Sequence, residues 1–158
     1  MHFGHLALAG ALLVVACATA PKPHSAPLQT GVLITLQESC EPIMICPNYN
    51  IELTPSGHYR YEGIRDVEPI GVQEGELGPA AWTNAEAAFT AADWETLPDM
   101  LGGERRRACR PDSPHAVITR REASGTQTTL DYNLSCDFSV ANHLLTALRA
   151  AIPRPGSK

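Results

Sequence analysis

The chain has 158 residues, the length of one ordinary domain. Its hydrophobic fraction of 44% is enough for a single core, and its formal net charge of −5 argues against a general nucleic-acid binder. The charge is unevenly spread: residues 1–100 hold three Lys or Arg against twelve Asp or Glu, whereas residues 101–158 hold nine against five. The five cysteines are an odd number, so one of them needs its own explanation.

The N-terminus has the pattern of an export signal. Residues 6–16 form a continuous apolar run, shorter than the ~20 residues that span a bilayer and similar in size to a signal-peptide core. The run ends in Val14-Val15-Ala16-Cys17, which resembles the lipobox of bacterial lipoproteins, although the usual preceding Lys or Arg is absent. We expect a lipoprotein signal peptide at 1–16 and a lipidated Cys17. A plain secretory signal and a buried N-terminal helix are the alternatives.

Residues 17–30 follow as a flexible tether, because they are rich in Pro, Ala and Ser and have no apolar period. Ala18, rather than Asp, follows Cys17, which by resemblance to Gram-negative sorting rules favours the outer membrane. We therefore expect an outer-membrane lipoprotein that faces the periplasm and is attached through the lipid on Cys17. A secreted or periplasmic protein is the alternative.

The first part of the domain contains three predicted strands. Residues 31–37 alternate as one strand, apolar enough on both faces to be central in a sheet. Residues 49–63 predict a hairpin around Pro55-Ser56-Gly57, with Leu53 opposite Tyr59 and Ile51 opposite Tyr61. This register puts the apolar side chains on one face and the polar ones on the other. A short extra strand is expected near residues 70–72.

Helix, hairpin and helix follow in order. Thr83-Asn84-Ala85-Glu86 matches a capping box, so a helix is expected from there to about Ala92, with Trp82 as a hydrophobic staple and Trp94 and Leu97 in the core beyond it. A second hairpin turns at 123–125 and pairs Ile118 with Leu130 and Ala116 with Tyr132. A last helix starts at 137–139. Its expected buried stripe is Val140, Ala141, Leu144, Leu145, Leu148 and Ile152.

This element order predicts an α+β fold. The order is βββαββα, which suggests an antiparallel sheet of about five strands with two helices packed on one face. We expect a single domain over residues 31–153, followed by a tail at 154–158.

Four cysteines remain once Cys17 is assigned to lipidation, and an exported protein meets an oxidising compartment, so they predict two disulfides. The register of the second hairpin brings Cys109 and Cys136 to the same end of it, nearly opposite each other. That favours the pairs Cys109–Cys136 and Cys40–Cys46 among the three connectivities. A zinc site or a redox-active pair is disfavoured, because the C-x5-C spacing fits neither.

The first hairpin and its cysteines resemble the signature of a bacterial family, domain of unknown function family 6438: Cys, then Cys-Pro-x-Tyr, a strand, a Gly-centred turn and Tyr-x-Gly. The matching residues are Cys40, Cys46, Pro47, Tyr49, Ile51, Gly57, Tyr61 and Gly63. The resemblance covers about residues 31–153, although five residues without a Gly separate the first two cysteines here. It implies an exported small α+β domain, often lipid-anchored, and supplies no catalytic residue.

Two features are candidates for partner binding. The cations Arg105, Arg106, Arg107 and Arg110, followed by Arg120 and Arg121, could meet lipopolysaccharide phosphates, peptidoglycan carboxylates or an acidic envelope protein. The alternative is a solvated basic loop that balances the acidic half. Ile43, Met44 and Ile45 lie inside the small cysteine loop. We expect them to pack into the core, with an exposed partner-binding surface as the alternative.

Enzyme signatures are absent from the sequence. It has no H-E-x-x-H or G-x-S-x-G motif and no glycine-rich phosphate loop, so no metal ligand, cofactor or catalytic residue is assigned. Asp112-Ser113-Pro114 is typical of a turn. We expect a non-enzymatic binding or structural module without a deep polar pocket. The alternative is a hydrolase acting on envelope material, which would gather His115, Asp112 and a nucleophile in one cleft.

Overall fold

A computed structural model describes residues 31–97, 109–110 and 112–155. Within them the chain forms six strands and two helices. The elements are β1 (Leu33–Ser39), β2 (Asn48–Leu53), β3 (His58–Arg65), β4 (Gly71–Glu76), α1 (Pro79–Ala91), β5 (His115–Arg121), β6 (Gln127–Asn133) and α2 (Ser139–Ala151).

The strands form one antiparallel sheet in the order β4-β3-β2-β1-β5-β6. The α+β class is confirmed, and β1 is central between the two hairpins as expected. The sheet has six strands rather than about five. The additional strand is β4, which lies at the edge beside β3 and extends the short strand expected near residues 70–72.

Both hairpins have the predicted register. Leu53 pairs with Tyr59 and Ile51 with Tyr61 in the first hairpin, and the second hairpin pairs Ile118 with Leu130. Each turn has its glycine at positive φ, 91° at Gly57 and 87° at Gly125. A tight turn needs this left-handed backbone, and glycine adopts it without a Cβ penalty.

Helix α1 starts one turn earlier than the capping-box pattern indicates. Gly78 caps it and Pro79 lies in its first turn, where a missing N–H costs nothing. Thr83 is already inside the helix and its Oγ1 donates to the carbonyl of Pro79 at 3.2 Å. Glu86 binds Arg120 instead of capping, so the capping box, and with it the staple at Trp82, is wrong.

Helix α2 packs most of its predicted stripe into the core. Ala141, Leu144, Leu145, Leu148 and Ile152 are buried, whereas Val140 is exposed. The prediction for Val140 is wrong because the buried positions follow the i, i+3, i+4, i+7 spacing from Ala141, and Val140 lies beside that stripe. In the described part of the chain, neither helix has the length and apolarity needed to cross a membrane.

The core is one cluster in which one face of the sheet meets both helices. The strands contribute alternating residues such as Ile34, Ile51 and Ile118, and the helices contribute residues such as Phe89 and Leu148. Trp94 and Leu97 are buried as expected, and the Trp94 and Phe89 rings meet edge to face at 4.8 Å. The chain is therefore long enough to bury one continuous apolar core.

The two ends of the sheet differ. Both tight turns and the first residue of β1 lie at one end, which we call the turn end. The disulfides Cys40–Cys46 and Cys109–Cys136 lie at the other, the disulfide end, and both have the predicted connectivity. The disulfide end comprises residues 38–47, 63–72, 109–110, 112–115 and 133–137 together with the last turn of α2.

Candidate binding cleft

A cleft of about 470 Å³ opens at the disulfide end. Its walls come from the end of β1, the start of β2, the segments flanking β5 and β6, and the end of α2. The lining residues are Glu38, Ser39, Cys46, Pro47, Tyr49, Pro114, Leu134, Arg149, Ile152 and Arg154. A charged cleft at this position was not among the sequence-based expectations.

Glu38 is the carboxylate of this cleft. It follows Ile34 and Leu36 on the core-facing side of β1, and only 6% of it is exposed. A carboxylate at a core-facing position is costly unless it is paired and hydrogen-bonded. Its two oxygens accept from Nε and Nη2 of Arg149 at 2.7 and 2.8 Å, and Oε1 also accepts from the Tyr49 hydroxyl at 2.6 Å.

Tyr49 reaches Glu38 because the two residues are cross-strand partners in β1 and β2. Burial raises the pKa of the Tyr49 phenol above its ordinary value, and the negative charge of Glu38 and the hydrogen bond to it raise it further. Tyr49 therefore stays protonated and acts as a donor at neutral pH. The guanidinium of Arg154 lies over its ring, 5.2 Å from the centroid, in cation–π geometry.

Arg149 comes from the last turn of α2, 111 residues after Glu38. The hydrogen bond to Glu38 raises the pKa of Arg149 above its ordinary value, so the guanidinium is firmly charged. The arrangement is a fixed carboxylate that holds one guanidinium by two bonds, with a second guanidinium close by. It has the parts to bind an anionic group.

None of these four cleft residues was predicted from the sequence as a site residue: Glu38, Tyr49, Arg149 and Arg154. A signal for Glu38 was present, because the alternation of Ile34 and Leu36 places it on the buried face. A charge at such a position indicates a partner, but nothing local identifies that partner as Arg149.

Of the predicted basic residues, the structure describes Arg110, Arg120 and Arg121, and it places Arg110 at the opposite end of the sheet from the other two. Arg105, Arg106 and Arg107 lie outside the described residues, as does Cys17. Arg110 lies at the disulfide end with an exposed side chain, where its backbone N–H donates to Ser135 at 2.8 Å. Arg120 and Arg121 lie at the turn end, and Arg120 is bound to Glu86 by two bonds of 3.1 Å.

The isoleucines of the small disulfide loop do not pack into the core. Ile43 is 93% exposed and Ile45 is 92% exposed, while Met44 is half-buried, so the expectation of core packing is wrong. The five-residue loop is closed by the disulfide, and its carbonyl groups are turned toward Arg65. Arg65 donates to the carbonyls of Cys40, Glu41, Pro42 and Met44 at 3.0–3.5 Å. These bonds hold the backbone of the loop, and the side chains of both isoleucines face solvent.

The residues of the hydrolase alternative do not form a triad. His115 is hydrogen-bonded to Asp131 on the neighbouring strand, at 2.8 Å between Nδ1 and Oδ1. Asp112 and Ser113 form a bend in which Ser113 is buried. Across the described ranges, no group of three or more His, Cys, Asp or Glu residues could hold a metal ion.

These features define a small, doubly disulfide-bonded α+β domain with a charged cleft and, at the same end, a disulfide-closed loop that exposes two isoleucines. The chain belongs to the family described as a domain of unknown function, DUF6438, whose family model matches residues 45–153. The match includes Cys46 and begins after Cys40. No curated protein matches the chain.

Proposed function

We propose that this chain is a lipid-anchored bacterial cell-envelope protein and that it acts as a non-enzymatic binding module. The pattern of residues 6–17 supports the anchor, and the two disulfides support export, because such bonds persist in oxidising compartments. Those bonds use four of the five cysteines and leave Cys17 for the lipid. The outer membrane, with the domain in the periplasm, is the location that Ala18 favours.

The observation that carries the binding role is the exposure of Ile43 and Ile45. Two fully exposed isoleucines on a loop fixed by a disulfide and by Arg65 lose little conformational freedom on binding. Ile64, Ile70 and Val72 are further exposed apolar side chains at this end of the sheet.

The chemistry of this surface favours an envelope protein with an apolar recess as the partner. Lipopolysaccharide phosphates and peptidoglycan carboxylates would require cations, whereas the most exposed side chains of the loop are the two isoleucines. Gly31, where the tether joins the domain, lies at the turn end, whereas the loop lies at the opposite end of β1. An anchored domain can thus present the loop away from its attachment point.

The hydrolase alternative has less support. It needed His115 and Asp112 in one cleft with a nucleophile, and His115 instead pairs with Asp131 on the sheet. Neither of the two lines the cleft at Glu38.

The anchor is tested by intact mass spectrometry and palmitate labelling of the protein expressed with its own N-terminus. We expect an acylated Cys17, and no label in Cys17→Ala. A protein that is processed and exported without acylation would contradict the anchor and leave the binding role standing.

The binding role is tested by photo-crosslinking in the native envelope, with the crosslinker placed at Glu41 in the loop. We expect one discrete protein adduct that is lost in the double variant Ile43→Ser, Ile45→Ser. Val140→Ser is the matched control, because it also removes an exposed apolar side chain but lies in α2. An adduct that survives the loop variant, or no adduct, would contradict this role.

A further inference from the structure

We propose that the outer edge of β4 binds an extended segment of another polypeptide as an additional antiparallel strand, with cationic side chains opposite Glu74 and Glu76. This interaction is separate from the isoleucine loop and from the cleft, and it does not depend on the lipid anchor.

The strand β4 differs from the strand at the other edge of the sheet. None of the six residues of β4 is buried, whereas β6 places Leu130 and Tyr132 in the core. Backbone pairing along its whole length, from Gly71 to Glu76, holds β4 against β3. The strand therefore adds an ordered, accessible backbone edge to the sheet and no buried side chain to the core.

The hydrogen bonds to β3 decide which backbone groups of β4 face outward. Leu77 donates its N–H to Gly57 at 2.9 Å, so the residues of β4 an even number of positions before Leu77 also bond to β3. The alternate residues, Val72, Glu74 and Glu76, direct their N–H and C=O groups away from the sheet. Within the part of the chain that the structure describes, these backbone groups have no hydrogen-bond partner. An added strand can bond to all of them.

The charges beside this edge favour a cationic partner. On the face of the sheet away from the helices, β2, β3 and β4 carry four carboxylates and one guanidinium: Glu52, Glu62, Glu74, Glu76 and Arg60. Arg60 bonds to Glu62 at 3.3 Å and lies 3.9 Å from Glu74, so this cation is shared. The side chains of Glu74 and Glu76 are 55% and 65% exposed. Opposite charges facing each other across a strand pair are stabilising.

A second copy of β4 does not meet this requirement. Antiparallel pairing of two copies brings their Glu74 carboxylates together, and like charges across a strand pair are destabilising. The same carboxylates attract a strand with cations on this face, and repulsion of one partner with attraction of another gives specificity. The strand that fits has a cation, a cation and an apolar residue at alternate positions, opposite Glu76, Glu74 and Val72 in turn.

The test is a titration of the full mature chain with a capped heptapeptide, followed at the backbone amide signals of β4. In the peptide, threonines alternate with lysine, lysine and valine, in that order, which places the three opposite Glu76, Glu74 and Val72. We expect the amide signals of Val72 and Glu74 to shift, with a Kd of about 1 mM or tighter. Absence of these shifts would overturn the proposal.

Two N-methylated peptides separate strand pairing from attraction between charges alone. In the added strand, the backbone N–H groups of both lysines face β4, whereas those of the two inner threonines face away. Methylating the lysine backbone nitrogens should abolish the shifts, and methylating those of the inner threonines should preserve them. Equal binding of the two methylated peptides would contradict strand addition.

The double variant Glu74→Lys, Glu76→Lys should weaken binding of the lysine peptide about tenfold and favour a peptide with glutamates in place of the lysines. The matched control is Glu95→Lys, Asp137→Lys. It changes the net charge equally at exposed residues, with Glu95 beside Arg120 of β5 and Asp137 after β6. Urea unfolding midpoints show that both variants are folded. Equal binding to both would overturn the proposal, as would β4 shifts that depend on protein concentration alone, since a second copy would then be the partner.

Discussion

The disulfide end and the turn end of the sheet are built from different kinds of contact. At the turn end, each strand pair is closed by a tight turn whose hydrogen bonds join residues a few positions apart, such as Thr54 to His58. At the disulfide end, the loops are long and distant segments meet: Cys109 with Cys136, and Glu38 with Arg149. The cleft and the isoleucine loop both lie at this second end. The turn end is thus closed by local contacts, and both candidate binding features lie at the disulfide end, where distant segments of the chain meet.

The two ends also use the same pair of residue types differently. Arg120 of β5 binds Glu86 of α1 at the turn end, and Arg149 of α2 binds Glu38 of β1 at the disulfide end, each by two hydrogen bonds. The carboxylate side chain is 30% exposed in the first pair and 8% exposed in the second. Only the second carboxylate has protein donors, Arg149 and Tyr49, in place of nearly all of its water.

The largest effect is expected from Arg149→Gln. This change leaves Glu38 buried with Tyr49 as its donor, and breaking a buried pair in this way costs about 3–5 kcal/mol in the free energy of unfolding. Arg120→Gln is the matched change at the turn end and should cost about 1 kcal/mol or less, because water reaches Glu86. Urea unfolding of the oxidised protein measures both.

A further variant separates the effect of losing the Arg149 hydrogen bonds from the effect of leaving the Glu38 carboxylate buried and unpaired. Adding Glu38→Gln to Arg149→Gln should recover part of the loss, because the buried carboxylate is then gone. Equal losses for Arg149→Gln and Arg120→Gln would show that burial of Glu38 does not distinguish the two ends.

The second effect concerns the two disulfides of the disulfide end. Cys109 and Cys136 are 27 positions apart, and Cys40 and Cys46 are 6 apart. Loop-closure entropy therefore predicts a loss of about 3.5 kcal/mol for the double Ser variant of the first pair and about 2 kcal/mol for that of the second. Urea unfolding midpoints of the two double variants provide the comparison. A greater loss at Cys40–Cys46 would mean that contacts of the small loop, such as those of Arg65, outweigh chain entropy.

The turn end was predictable from the sequence because its determinants are local. A glycine in each three-residue turn and alternating apolar residues on both sides fix the register of each hairpin. The same register extends to Cys109 and Cys136, which is why that disulfide could be predicted as well. The error at Thr83 is also local: the pattern fits a capping box, but Gly78 and Pro79 begin the helix one turn earlier.

The cleft was not predictable, because its charged pair joins the first strand to the last helix. Glu38 could be recognised as a charge on the buried face of β1, but the crossing of α2 over the sheet decides which cation reaches it. The exposure of Ile43 and Ile45 was also unexpected, since apolar residues usually pack inward. Arg65 holds the carbonyls of Pro42 and Glu41, and in the loop held this way Met44 is half-buried while both isoleucines face solvent.

The smallest effect tests the turn end through its two glycines. Gly57 and Gly125 both have positive φ, so Ala at either position adopts a left-handed backbone at a cost of about 1–2 kcal/mol. A Cβ at Gly125 meets nothing within 4 Å, whereas a Cβ at Gly57 would lie 2.1 Å from the carbonyl oxygen of Gly78. The end of β4 approaches Gly57 closely because Leu77 donates its N–H to the Gly57 carbonyl at 2.9 Å. Gly57→Ala should therefore cost about 1 kcal/mol more than Gly125→Ala, as overpacking does. Thermal unfolding measures both, and equal losses would mean that β4 moves away from the turn without cost.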